Sequence, residues 1–202
     1  MSNREHLEVF LKGAEVWNQW RMENPDVKPD LEGVNARNAN LVGIDLIDAN
    51  MVRANLSGAN LFRSYLSRAV LAQTNFSGAN LSSSDLFGAN LFQANLSNAN
   101  LLGANLIQGN LKKAKLNEAD LRYAHLIETN LEEASISGCR IQWISAWGAN
   151  LKGTVQKDLV VSHPNEPMVT LDNLNVGQLA QLMIHGKNMD DVIDSISTRL
   201  VL

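Results

Sequence analysis

Catalysis or metal binding in this 202-residue chain would have to draw on four histidines, one cysteine and 21 carboxylates. The histidines are His6, His125, His163 and His185, and no two stand at the short spacings that place two imidazoles on one metal ion. Cys139 is alone, so it can neither join a thiolate metal site nor close an internal disulfide. Ser162 and His163 are sequence neighbours, which points their side chains apart in an extended segment, and no nucleophile elbow surrounds the serine. No GxxxxGK[ST] or GxGxxG run is present to cradle phosphates. Between Ala69 and Asn110 the only charged residue is Asp85, so a pair of carboxylates for acid–base work has no place there. The residues therefore point away from an enzyme, with no catalytic, cofactor or metal site expected.

The elements that would have to position such groups are set by a repeat. Every fifth residue from Leu31 to Leu151 is apolar: Leu, Ile, Met or Phe at 23 of 25 positions, with Ala36 and Ala146 the exceptions. The residue before it is Asn or Asp in 18 of the 25 copies, and the one before that is usually small. On an α-helix, five steps of about 100° smear such a series around the axis. On a flat strand an odd period sends successive members to opposite faces. Keeping all 25 inside requires the chain to turn once per five residues, and the Asn- and Gly-rich composition supplies residues that tolerate tight turns. A stacked solenoid follows. The recurrence of large apolar residues just after the central one leaves three or four sides per coil open.

The run Ala54-Asn55-Leu56-Ser57-Gly58-Ala59-Asn60-Leu61 resembles the pentapeptide-repeat proteins, and the resemblance extends without a slip over residues 29–153. It implies an all-β solenoid, a right-handed quadrilateral β-helix of 20 residues per coil. Here that makes about six coils and a rod roughly 30 Å long. Cys139 falls at the small inward position and reads as a core residue.

Residues 1–28 are expected to form a capping α-helix, with Leu7, Phe10, Leu11, Ala14 and Trp17 on one stripe, Ser2 or Asn3 as N-cap and Pro25 as the stop. Residues 154–202 are expected to form a linker, around Val161–Pro167, and an α-helical tail of two helices, Leu174–His185 and Met189–Leu200, joined by Gly186-Lys187-Asn188. The layout resembles bacterial pentapeptide-repeat proteins whose tail leads into a further signalling domain, and none is expected after Leu202.

On four sides, the residues that follow the central apolar position sort into four outward columns. One is a solvated wall: Arg37, Ser57, Ser77, Ser97, Asn117, Ser137. Another reads Ile47, Ser67, Phe87, Ile107, Ile127, Trp147, too apolar to stay bare on a soluble monomer. Ile47, Phe87, Ile107, Ile127 and Trp147 are thus the candidate partner-binding residues, covered by the chain's own terminal helices, a second copy in a homodimer, or another protein.

Charge narrows the partner. The whole chain carries −4, and Leu31–Val155 holds ten Lys or Arg against nine Asp or Glu. No basic footprint marks a nucleic-acid binder. No apolar run is long enough for a membrane span, and the charged start has no signal-peptide core, so a cytoplasmic protein is expected. The family resemblance implies a second possibility, a DNA mimic that regulates a type II topoisomerase such as gyrase. A near-neutral rod is poorly suited to imitating phosphate charge.

Overall fold

The computed structural model describes residues 3–163 and 165–184. The expected helix at Met189–Leu200 and the turn before it lie outside these residues.

Four sides per coil follow from the pairing. Every fifth residue from Asp30 to Arg140 is bridged in parallel to the residue twenty positions later. From Asp30 to Val160 this amounts to six and a half turns. Each pentad repeats one hydrogen-bond scheme. Leu31 N–H donates to Asn50 O and Gly33 N–H to Val52 O, both in the next coil, while Val34 N–H closes a β-turn on Leu31 O. The third residue of every such turn, from Gly33 to Gly153, has positive φ.

Glycine supplies only some of these. Arg53, Gln73, Tyr123 and Trp143 also sit at φ between 58° and 59°, a conformation that costs a non-glycine residue about 1–2 kcal/mol. The N–H at that position offsets part of the cost by pairing with the next coil, as Arg53 does with Ala72 O.

The Asn column has a different task from the one its turn propensity suggests. These residues lie at the bridge positions, not at positive φ. Their side chains serve twice. Asn110 Oδ1 accepts the Lys112 N–H, an Asx-turn that helps to bend the corner, and Asn110 Nδ2 donates to Asn90 Oδ1 one coil before. Asn130 and Asn150 continue that ladder.

Inside, the central residues are almost wholly buried, each contributing on the order of 1.5–3 kcal/mol by removal from water. At the small inward position Thr74, Thr129 and Thr154 donate to the carbonyl 23 residues earlier, Cys139 does the same to Leu116 O at 2.9 Å, and Ser84 donates to Leu81 O, whereas the buried Ser64 hydroxyl finds no acceptor. Burial pushes the Cys139 thiol up to about 12.

At the N-terminal end stand two helices, α1 (Arg4–Phe10) and α2 (Ala14–Glu23), where the stripe of apolar residues suggests one. Gly13, at φ 98°, makes the break. Asn3 caps α1 by accepting from Glu5 and His6. Phe10 and Trp17 join the core. Trp17 Nε1 donates to Asp45 O, Asn18 Nδ2 to Gly43 O, and Arg21 to Val27 O and Ile47 O, so α2 satisfies backbone carbonyls at the open edge of the first coil.

The coil runs past Leu151, where the repeat is lost to the eye. Gln156 takes a central position, but Asp158 still turns at φ 55°, Leu159 is buried, and Val160 bridges Arg140. The stretch expected as a linker belongs instead to a hairpin, in which β1 (Leu159–Val160) pairs antiparallel with β2 (Thr170–Leu171). Helix α3 (Leu174–Ile184) then crosses the last coil. Gln156 Oε1 accepts the Leu174 N–H, and Gln178 Oε1 accepts the Ala146 N–H.

Candidate interaction face

The 20-residue coil puts residues differing by twenty directly above one another, so each outward column is a straight line along one wall. The wall carrying Ile47 lies opposite the serine wall, ten residues around the coil. Phe87, Ile107, Ile127 and Trp147 occupy successive coils on it and form an unbroken apolar line. Phe87 is 37% exposed and Trp147 50%, with the two isoleucines between them half-buried. Ile47 stands apart. Ser67 separates it from Phe87, is itself buried, and donates its hydroxyl to Asp85 Oδ2 at 2.5 Å.

The described terminal helices sit at the ends of the coil. Helix α2 reaches Ile47, where Asn18, Met22, Gly43, Asp45, Ile47 and Tyr65 line a cleft of about 440 Å³. The side of α3 facing the coil meets Ile141 and Val161 at Gly177. Among the described residues the line from Phe87 to Trp147 stays on the surface.

The model for Pentapeptide repeats matches in eight copies, over residues 30–68, 54–91, 64–101, 84–122 and 114–155. The chain belongs to the pentapeptide-repeat family. Its wall-by-wall pairing is the right-handed quadrilateral β-helix of that family. Among solved structures it is similar to HetL, a pentapeptide repeat protein involved in heterocyst differentiation regulation from the cyanobacterium Nostoc sp. strain PCC 7120. The two share 32% identity at a TM-score of 0.62, over 71% of this chain and 63% of HetL. The chain thus spans less than two thirds of that relative. A second Nostoc pentapeptide repeat protein, alr5209, is 34% identical over 46% of this chain and 64% of its own, with a TM-score of 0.34. QnrB1, a plasmid-mediated fluoroquinolone resistance protein, is 20% identical over 77% of this chain and 88% of its own, with a TM-score of 0.40. No functionally curated protein matches.

In this pentapeptide-repeat chain several charges on the rod pair locally, four of the pairs across one coil step. Arg68 grips Asp48 through Nε and Nη2, at 2.9 and 2.8 Å, and holds its carboxyl below the usual range. Lys112 Nζ likewise lowers the Glu132 carboxyl from 2.9 Å, Lys113 pairs with Glu133, and Arg53 pairs with Glu32. Arg122 closes on Asp120 within its own coil. Among the described residues, no group of three or more His, Cys, Asp or Glu could hold a metal ion, and no helix is long and apolar enough to cross a membrane. Ser162 is buried, with its hydroxyl accepting the Val169 N–H, while the neighbouring His163 N–H donates to Glu166.

Sorting by the residue after each central position misses three aromatics beside the apolar line. Tyr65, half exposed, replaces Asn in the bridge column next to Ile47. Tyr123 and Trp143, twenty apart, stand at the positive-φ corner that leads onto the same wall. For Tyr123 and Trp143, an aromatic residue in a column otherwise filled by Gly and polar residues was the available signal.

Proposed function

We propose that this pentapeptide-repeat chain is a noncatalytic scaffold that presents the Phe87–Trp147 wall to a protein partner. The observation that carries this is the unbroken apolar line on a rod where five acidic side chains already face a Lys or Arg. A rigid tube holds those side chains in one plane before any partner arrives, so little ordering entropy is lost on docking. Buried aromatic anchors are the groups that dominate such contacts.

The alternative, a DNA mimic acting on a type II topoisomerase, calls for a surface of unpaired carboxylates. Glu32, Asp48, Asp120, Glu132 and Glu133 each face a Lys or Arg.

The test is an affinity capture from host lysate with the wild type and a Phe87→Ser/Ile107→Ser/Ile127→Ser variant of unchanged β circular dichroism. A protein held by the wild type and lost by the variant supports the scaffold. Topoisomerase subunits held equally by both would favour the mimic, and capture of the chain alone would make the wall a homodimer contact.

A further inference from the structure

Resting on the scaffold reading, we infer that the occupant of this wall is a basic-flanked amphipathic α-helix of another protein, lying along the rod axis. The spacing of the rows selects a helix. Successive coils are about 4.8 Å apart, so Phe87, Ile107, Ile127 and Trp147 span about 14 Å. The apolar seam of an amphipathic helix recurs every 3.5 residues, or about 5.3 Å, and covers three steps in about 16 Å. A strand presents one face every two residues, about 6.7 Å, and is out of step with the rows by about 6 Å over the same length. A helix can seat an apolar residue at each of the four rows, and a strand cannot.

Charge selects the flanks. The four rows carry Asp85 and Glu128 and no Lys or Arg. Asp85 accepts from Ser67, Asn105 and the Phe87 N–H, and Glu128 accepts from Gln108. All of these donors are neutral, so no cation among them offsets either carboxylate beside the apolar line. Arg68, the cation in the row above, is engaged with Asp48. His125 completes the flank between Asn105 and Ser145. A helix with Lys or Arg on either side of its seam meets this field favourably. The chain's own C-terminal segment does not: residues 189–202 hold Asp190, Asp191 and Asp194 against Arg199. A second copy would set the same two carboxylates against themselves.

The full chain is titrated by fluorescence anisotropy with three labelled synthetic peptides of about fourteen residues. One has Leu at heptad a and d with Lys elsewhere, one has the same pattern with Glu, and one alternates Leu and Lys. The heptad Leu/Lys peptide is expected to bind about tenfold tighter than either control and to gain helical circular dichroism on binding. Phe87→Ser with Ile107→Ser should weaken it about tenfold. Asp85→Asn with Glu128→Gln, which leaves the apolar line intact, should weaken it several-fold and flatten its salt dependence.

Equal binding of the alternating or the Glu peptide overturns the inference, as does indifference to both double variants. Tighter binding on Ile196→Ser with Leu200→Ser would make the chain's own tail the occupant and overturn it too. A lysate partner that depends on Phe87, Ile107 and Ile127 but not on Asp85 and Glu128 leaves the scaffold standing and removes only the helix.

Discussion

The serine wall and the apolar wall are opposite sides of one tube. Behind Ser97 lies Leu96 and behind Ile107 lies Leu106, both fully buried, with the same ladder of N–H to carbonyl bonds on each side. The Asn residues before them make the same Asx-turns, Asn95 to the Ser97 N–H and Asn105 to the Ile107 N–H. At these two coils nothing in the interior distinguishes the walls. The difference is confined to the outward column, so this fold separates the residues that hold it up from those that meet the outside.

If that separation holds, damage to the interior is indifferent to which wall it underlies. Leu96→Ala and Leu106→Ala should each cost about 2–5 kcal/mol, by equal amounts, in thermal or urea unfolding. A wall that tolerated the change would break the equivalence. The amide ladders should show a smaller and unequal effect. Asn95→Ala gives up a 3.3 Å bond to Asn75, a neutral acceptor, and should cost about 0.5–1.5 kcal/mol. Asn105→Ala gives up a 2.9 Å bond to the Asp85 carboxylate and should cost up to about twice that. Equal losses would mean that the carboxylate adds nothing to the ladder on the apolar wall.

The smallest effect concerns acid. Arg68 depresses the folded Asp48 carboxyl, so the pair stabilises at neutral pH and its contribution is lost as pH falls through the carboxylate range. Asp48→Asn should lower the melting temperature slightly at pH 7, and the gap to the wild type should close on acidification. Both partners are largely solvated, which keeps the effect small. A gap that widened in acid would reverse the sign assigned here.

The interior was legible because burial enforces it: one apolar residue in five, for 25 copies, leaves few other solutions. The number of sides was not, since the outward residues that could report it are free to vary. Gly13 breaks a helix whose apolar stripe runs straight through it. Gln156 hides a final pentad because its side chain is used as an acceptor for α3. The Asn column was visible, but its role as a ladder exists only between coils and has no signature within one pentad. The apolar line was visible as a column, its interruption at Ser67 included, whereas the bond that ties Ser67 to Asp85 one coil away was not.

The coil of twenty also sets a rule for insertions and deletions. Gain or loss of a whole coil lengthens or shortens the rod and leaves each residue beyond it on its own wall. Loss of a single pentad is just as acceptable to the interior, yet it turns everything beyond it by a quarter. Such a deletion between Ile107 and Ile127 would move Ile127 and Trp147 round the corner from Phe87 and Ile107 without exposing one buried leucine. For a chain of this kind, reading phase along the axis is as much a determinant of the surface as the identity of the residues on it.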